Sequence, residues 1–290
     1  MKKRILAALL VIALAAGVFA GCGKKSSSED KGKSADKKTE ADGETRTIKL
    51  GLTGVIYEDI WNPIKEKLAK EGINLEYVQF SDFSLPNAAL DAGEIDINAF
   101  QHHAYFNNDT STNGYDLKAI GDTFIIAMNI YSDEIKDITD LKDGDTVAIP
   151  DDASNGGRAL KVLESAGIIK VDPAAGTNPT VSDITDYNVK VKITELGAST
   201  IPSVIPDFTI AVVNGNYALD YGIDPETAIF HESEYADDSY FCLIAVRAED
   251  ENDPDFQKIV ELFQSDDTKK IFEEKFGGYF VPAWEVKTAE

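Results

Sequence analysis

The sequence predicts an α/β protein with largely parallel sheets. Short apolar strands alternate with helices from residue 47 to the C-terminus, and this alternation is typical of α/β folds. A hydrophobic content of 43% over 290 residues is enough for one large domain or two ordinary ones, each with its own core. The formal net charge is −23, and such a charge repels nucleic-acid phosphates and anionic lipid surfaces. We therefore expect no nucleic-acid partner.

The N-terminus carries the features of an export signal. A basic start, "KKR", precedes the apolar run "ILAALLVIALAAGVFAG", which is short for a membrane span and ends in small residues before Cys22. The stretch "FAGC" resembles a bacterial lipobox, in which the peptide is cut before the cysteine and the thiol is lipidated. We predict a lipoprotein signal peptide over residues 1–21 and a lipid anchor (diacylglycerol and palmitate) at Cys22, on the extracytoplasmic side of the cell membrane. A plain signal peptide or a short anchor is the alternative.

Residues 22–46 contain almost no apolar side chain, and this composition is typical of a flexible tether. With Cys22 lipidated, Cys242 is the only remaining thiol, so we expect no disulfide within the folded chain. The sequence thus predicts a folded part that starts near residue 47 and is held to a membrane by an unstructured segment.

The first elements follow from apolar spacing and from residues that start or stop helices. "TIKLGLTG" and "LEYVQF" are predicted strands, and "EIDINAF" shows the alternation of a strand. Between the first two strands, "WNPIKEKLAKEG" is a predicted helix with Asn62 as its N-cap, Pro63 in its first turn and Gly72 as its stop. "PNAALDAG" is a short helix before the third strand.

The later elements continue the alternation. Strands are predicted for "DTVAIP", "FTIAVVN" and "SYFCLIAV", and a short helix for "GNYALDYG". "SNGGRALKVLESAG" is a predicted helix that starts at Ser154 or Asn155 and ends at Gly167. The amphipathic helix "DPDFQKIVELFQ" is capped by Asp253, and the last helix, "DTKKIFEEKF", ends at Gly277.

Ligands of α/β proteins bind beyond the carboxyl ends of strands, where helix N-termini present free amides. This rule selects the turns after "DINAF", "TVAIP" and "IAVV", and the segment around Cys242. In the second turn, Arg158 follows a double glycine that lets the backbone come close to a bound group, and its guanidinium suits a carboxylate. An exposed Arg158 paired with Asp151 or Asp152 is the alternative. In the third turn, Asn214 either presents its amide to a small polar ligand or forms an ordinary Asn-Gly turn.

Two of the three histidines, His102 and His103, are adjacent in "NAFQHHAYF". Their side chains diverge in an extended chain and no other ligand lies nearby at metal spacing, so we expect no metal site. A catalytic pair of His102 and Cys242 is possible, but a thiol within an apolar strand is typically inert. Phe100, His102 and Tyr105 better fit a pocket for an apolar or thioether side chain, with core packing as the alternative.

Four segments resemble the methionine-binding lipoproteins of ABC importers, the NlpA/MetQ family. They are "FSDFSLPNAALDAGEIDINAFQHHAYF", "DTFIIAMNIYS", "VAIPDDASNGGRAL" and "IAVVNGNYA". The resemblance runs from about Thr47 to the C-terminus. It implies a type II periplasmic-binding-protein fold, in which two lobes joined by two crossover segments close on a ligand. Lobe 1 would comprise residues 47–127 plus 241–290, and lobe 2 residues 128–240.

The resemblance also implies a ligand site. Arg158 and Asn214 would hold the head group of a free amino acid, and Asn155 would shape the turn of the arginine. Aromatic residues with a histidine would surround the ligand side chain. The implied ligand-binding set is Phe83, Phe100, His102, Tyr105, Asn155, Arg158, Asn214, Tyr240 and Cys242.

Two positions of this set differ from the family pattern. Phe83 stands where a tyrosine is usual and lacks its hydroxyl, and Cys242 stands where an asparagine is usual. A thiol cannot replace the two-way hydrogen bonding of an amide. The head group is therefore expected to be held differently here, or the ligand differs.

We expect a lipid-anchored substrate-binding protein of an ABC amino-acid importer, with no catalytic activity, no cofactor and no metal. Its partners would be a small amino acid, the permease subunits of the transporter, and the membrane through the lipid anchor. L-methionine is the leading ligand. Another small apolar amino acid, D-methionine or a short methionine-containing peptide is the alternative on the same scaffold, and a secreted Cys/His enzyme or a metal-binding lipoprotein is the alternative of another class.

Overall fold

The computed structural model describes residues 45–233, 235 and 237–286. The predicted signal peptide, Cys22 and all but the end of the predicted tether lie outside the described residues. Within the described part of the chain, none of the helices combines the length and the apolar character needed to cross a membrane.

Strands and helices alternate along the chain, as predicted. The helices are α1 (Ile56–Lys70), α2 (Pro86–Asp91), α3 (His103–Asn113), α4 (Ala153–Ser165), α5 (Ile201–Val204), α6 (Gly215–Asp220), α7 (Pro254–Phe263) and α8 (Asp266–Phe276). The strands are β1 (Arg46–Leu52), β2 (Ile73–Gln79), β3 (Ile97–Asn98), β4 (Leu117–Asp122), β5 (Phe124–Ile126), β6 (Met128–Tyr131), β7 (Thr146–Pro150), β8 (Ile169–Val171), β9 (Ile184–Tyr187), β10 (Lys192–Leu196), β11 (Ile210–Asn214), β12 (Leu243–Arg247) and β13 (Phe280–Pro282).

The first large sheet has the strand order β2-β1-β3-β12-β4. β1 runs parallel to β2 and β3, whereas β12 runs antiparallel to β3 and β4. Helices α1, α7 and α8 cover this sheet with buried side chains that include Trp61, Phe263 and Phe272. Because β12 lies between β3 and β4, this sheet combines segments that precede the second sheet in sequence with a strand that follows it.

The second large sheet has the strand order β10-β7-β11-β6. β7 runs parallel to β10 and β11, and β6 runs antiparallel to β11. Its core is separate from the first and packs Val147, Ile149 and Val212 against Leu160 and Leu163 of α4. The predicted parallel pairing is therefore present in both sheets, but each sheet also contains antiparallel pairs.

Helix α1 begins at Ile56, well before the predicted N-cap Asn62, so Pro63 lies inside the helix. A proline removes one helical hydrogen bond, and a helix continues through it only where packing compensates. The buried face of α1 provides that packing along the whole helix, at helical spacing: Tyr57, Ile60, Trp61, Ile64 and Leu68.

Other helix ends agree more closely with the sequence. Helix α4 begins at Ala153 and is capped by Asp152, whose Oδ1 accepts a hydrogen bond from the Asn155 N–H at 2.9 Å. The predicted ends of the C-terminal helices are confirmed. Asp253 caps α7, and Gly277 ends α8 in the left-handed conformation with φ 58°.

Candidate functional site

The turns selected from the sequence surround one cavity of about 370 Å³, here called the ligand cavity. Its wall contains every predicted ligand-binding residue except Tyr240. The wall residues are Tyr57, Phe83, Phe100, Gln101, His102, Tyr105, Ile126, Asn155, Arg158, Asn214, Gly215, Asn216 and Cys242.

One side of the ligand cavity is formed by buried aromatic rings. The ring centroid of Phe83 lies 5.9 Å from that of Phe100, 6.0 Å from Tyr105 and 4.7 Å from Tyr217. Tyr217 is not in the predicted set and does not line the ligand cavity, but its ring packs against this cluster. It belongs to α6, which follows the second sheet, so the ring cluster joins residues that extend from both sheets. Such flat, polarizable surfaces suit an aliphatic or thioether side chain.

His102 has a fixed, neutral state. It is the N-cap of α3, where its Nδ1 accepts a hydrogen bond from the Tyr105 N–H at 3.1 Å. The other ring nitrogen, Nε2, then carries the proton and donates to Asn155 Oδ1 at 3.3 Å. Burial, and then the nearby charge of Arg158, lower the pKa of His102 to about 3. At neutral pH this imidazole is an uncharged hydrogen-bonding part of the wall.

His103 points to a different partner. Its Nε2 lies 2.7 Å from Asp122 Oδ1, and this hydrogen bond raises the pKa of His103. The structure thus separates the adjacent histidines, as the sequence predicts. In the described residues, no group of three or more His, Cys, Asp and Glu side chains is placed to hold a metal ion.

Two asparagines connect the second sheet to the ligand cavity. Asn155 donates through Nδ2 to Asp152 Oδ2 at 2.9 Å, and its Oδ1 accepts from Asn214 Nδ2 at 2.7 Å. These bonds orient Asn214, whose Oδ1 is buried and has no hydrogen-bond partner among the described residues. A buried acceptor of this kind is costly unless a ligand or water donates to it. Asn214 therefore offers the cavity an acceptor.

Arg158 is buried, with its side chain 3% exposed, and the exposed pairing with Asp151 or Asp152 is not what the structure shows. Its Nε donates to Glu232 Oε1 at 2.8 Å, and its Nη2 donates to Glu232 Oε2 and to the Ile126 carbonyl oxygen. These bonds leave out its remaining nitrogen, Nη1, and the Tyr235 hydroxyl also lies within hydrogen-bonding reach of the guanidinium. Because Arg158 also lines the ligand cavity, Nη1 is the edge that remains for a carboxylate.

Tyr240 lies behind the arginine and outside the cavity wall. The Arg158 guanidinium carbon is 4.5 Å from the centroid of the Tyr240 ring, a distance typical of a cation–π contact. The same ring meets His102 edge-on, with centroids 5.3 Å apart. Tyr240 lines a larger neighbouring cavity together with Glu232. In the structure it packs against Arg158 and His102, and its predicted contact with the ligand stays a prediction.

The double glycine serves the packing of the protein itself. A Cβ at Gly156 would lie 2.9 Å from the Pro150 carbonyl oxygen, and one at Gly157 would lie 2.8 Å from the Cα of Asn178. Real Cβ atoms do not approach backbone so closely, so only glycine fits at either position. The structure thus gives both glycines a packing role, and the expectation that they admit a bound group stays a prediction.

Cys242 lies in the cavity wall just before β12, where it forms an isolated antiparallel bridge with His102. Burial raises the pKa of its thiol to about 12. The pair therefore consists of a protonated thiol and a histidine that stays neutral. A nucleophilic Cys/His site requires a thiolate or an adjacent base that can take its proton, and this pair provides neither.

A buried amide network supports the loop that carries Phe100 and His102. Asn87 at the start of α2 exchanges hydrogen bonds with Gln101 at 2.8 and 2.7 Å, and Asn98 donates to Asn87 Oδ1 at 2.9 Å. All three side chains are buried. This network explains why "PNAAL" and "NAFQ" occur together, because each supplies amides that the other satisfies.

Several residues of the site cannot be found by the sequence analysis. Asn216 follows the selected Asn214 in "VNGN", and its Nδ2 donates to the Thr53 carbonyl oxygen at 3.1 Å, so it connects α6 to the end of β1. No role in the site is predicted for Tyr57 or Ile126. Glu232 carries no motif at all, being a single acidic residue in a loop of an acidic chain.

Comparisons with known proteins agree with this geometry. A family model described as NlpA lipoprotein matches residues 48–284. The D-methionine-binding lipoprotein MetQ of Escherichia coli (strain K12) is 37% identical over 226 residues, which are 76% of this chain and 83% of that protein.

Solved structures agree with the predicted fold. A nutrient binding protein from Burkholderia cenocepacia bound to methionine is 40% identical, with a TM-score of 0.76, and the match covers 81% of this chain and 99% of that chain. An ABC transporter periplasmic substrate-binding protein from Coxiella burnetii is 32% identical, with the same TM-score of 0.76 and the same coverage. The predicted periplasmic-binding-protein fold is confirmed, and the chain belongs to the NlpA lipoprotein family.

Proposed function

We propose that the chain is the substrate-binding protein of an ABC amino-acid importer and that it binds methionine, with L-methionine as the leading ligand. The observation that carries the proposal is an unsatisfied acceptor, Asn214 Oδ1, and the Arg158 guanidinium beside a ring-lined slot. Arg158 Nη1 can donate to an α-carboxylate, and Asn214 Oδ1 can accept from an α-ammonium. The rings of Phe83, Phe100 and Tyr105 then meet the thioether.

D-methionine is the second candidate, because the similar Escherichia coli protein is named for that enantiomer. The methionine-bound Burkholderia cenocepacia protein supports methionine as the ligand, but it does not distinguish the two enantiomers. Calorimetry with both enantiomers, with leucine and with a methionyl dipeptide tests the leading ligand against the alternatives. Methionine binding weaker than leucine binding would contradict the proposal.

We further propose that the two lobes comprise residues 47–127 with 241–290 and residues 128–240. Each large sheet has its own hydrophobic core, and these cores draw on the corresponding ranges. A ligand that contacts Arg158 of one lobe and the rings of the other stabilises the closed arrangement, which the permease then recognises.

The test of the head-group assignment is Arg158→Ala. Loss of a hydrogen bond to a charged group is worth about 1.5–3 kcal/mol, so we expect at least about a tenfold increase in the Kd of methionine. Lys161→Ala removes a cation from the same helix outside the wall of the ligand cavity and is the matched control, with an expected change below about twofold. Unchanged calorimetric affinity of Arg158→Ala would refute the assignment.

We also propose that Cys22 bears the lipid anchor and holds the protein at the extracytoplasmic face of the cell membrane. The family name and the names of similar proteins support a lipoprotein. Metabolic labelling with palmitate, followed by fractionation, tests the site. The wild-type protein is expected to be labelled in the membrane fraction, and Cys22→Ala to lose the label.

A further inference from the structure

The carboxylate that holds Arg158 lies outside the ligand cavity. Glu232 is 8% exposed and belongs to the wall of the neighbouring cavity. Its Oε2 accepts from the Met128 N–H at 2.8 Å, and its own N–H donates to Asn129 Oδ1 at 3.1 Å. Both partners belong to β6, so the second sheet fixes this carboxylate independently of any ligand.

The two edges of the guanidinium are used differently. Glu232 occupies the edge formed by Nε and Nη2, and the Ile126 carbonyl oxygen takes the second proton of Nη2 at 2.9 Å. Nη1 makes none of these hydrogen bonds, and the Tyr235 hydroxyl lies near both Arg158 and Glu232. Arg158 can therefore bind two carboxylates at once, Glu232 on the closed edge and a ligand on the open one.

The charge of the site follows from this arrangement. Among the described side chains that line the ligand cavity, Arg158 alone is charged at pH 7, because His102 and Cys242 are both neutral. Glu232 balances Arg158, so the pair together has no net charge. In a buried site such charges are weakly screened and act over several ångströms.

We propose that Glu232 sets the charge selectivity of the ligand cavity, so that the site takes a neutral zwitterion in preference to an anion of the same shape. The inference rests on the proposed function, since it concerns the same ligand. A zwitterion binds Arg158 through its carboxylate and Asn214 through its ammonium, and the negative charge of Glu232 attracts that ammonium. An α-hydroxy acid has no ammonium, so it gains nothing from Glu232 and its single negative charge is repelled.

The experiment compares L-methionine with 2-hydroxy-4-(methylthio)butanoate, which carries a hydroxyl in place of the ammonium. Calorimetry at pH 7 and low salt gives the ratio of the two Kd values for each variant. We expect Glu232→Gln to shift this ratio at least about fivefold toward the hydroxy acid. Glu232→Asp keeps the charge and should leave the ratio within about twofold of wild type, whatever it does to either affinity alone.

Glu226→Gln removes one exposed acidic charge elsewhere and should leave the ratio unchanged. If Glu232 only fixed the shape of Arg158, the Gln variant would weaken both ligands together and the unchanged ratio would overturn the inference. A fraction of misfolded protein lowers the binding stoichiometry but not the ratio, so partial misfolding cannot imitate the expected shift. Wild-type protein that binds neither compound would overturn the proposed function, and this inference with it.

Discussion

The N-terminus of helix α1 is capped from the other sheet. Its own N-cap position, Val55, is 65% exposed and provides no side-chain acceptor. The Ile56 N–H donates instead to Oδ1 of Asp220, the last residue of α6, at 2.9 Å. Because α1 follows β1 of the first sheet and α6 follows β11 of the second, we expect this cap to exist only in the closed arrangement. Asp220→Ala should therefore weaken ligand binding.

The size of the effect follows from the value of a helix cap. Loss of an N-cap costs about 0.5–2 kcal/mol, and an exposed cap such as Asp220 lies toward the lower end. A loss of about 1 kcal/mol in the closed form alone raises Kd about fivefold, since about 1.4 kcal/mol is tenfold. Titration calorimetry with methionine measures this change. Asp220→Asn should bind nearly as wild type does, because asparagine caps helices about as well as aspartate.

Asp253→Ala is the matched control. Asp253 caps α7, whose buried face belongs to the core of the first sheet, so this cap does not depend on closure. Asp253→Ala should lower the melting temperature by about 2–4 °C for each kcal/mol of lost stability and leave the Kd of methionine unchanged. If Asp220→Ala lowers the melting temperature while methionine binds as tightly as to wild type, the cap is present with and without ligand and the reasoning is refuted.

Three further predictions concern stability, measured by urea unfolding. Gly157→Ala should cost about 1–3 kcal/mol because the added Cβ meets backbone of the loop after β8 at 2.8 Å, whereas Gly197→Ala, with its nearest atom at 3.8 Å, should be tolerated. His102, neutral when folded, should contribute stability that is present above its unfolded pKa of about 6.5 and lost as pH falls toward 3, and His102→Asn should flatten that loss. Because Asp122 raises the pKa of His103, His103 should stabilise the folded state below about pH 6.5, and this stabilisation should decrease as the pH rises through the folded pKa. Asp122→Asn should remove this pH dependence. A pH profile that neither substitution changes would contradict both histidine assignments.

The rule that ligands bind beyond strand ends recovers much of the candidate site. Arg158, Asn214 and Cys242 lie far apart in sequence, yet the helix after β7, the end of β11 and the position before β12 place all three in one wall. The helix ends at Asp253 and Gly277 are equally predictable, because local residue chemistry determines them.

The remaining features depend on tertiary contacts. The start of α1 lies before Pro63 because a buried face and an acceptor on α6 stabilise turns that local propensity does not favour. Glu232 is one of 51 acidic residues, and nothing in its neighbours shows that it meets Arg158 across 74 positions. Tyr217 and the glycine contacts likewise depend on which segments the fold brings together.

The reactivity of the Cys242 thiol can report when the ligand cavity opens. The residue is 5% exposed, and a pKa of about 12 keeps nearly all of the sulfur protonated at neutral pH, so an alkylating reagent reacts only with molecules whose cavity has opened. The other cysteine, Cys22, can be replaced without touching the described residues. In such a variant, the rate of maleimide attachment measures the fraction of time the wall is accessible. Saturating methionine should slow that rate, which gives a fluorescence-free assay for ligands that close the protein.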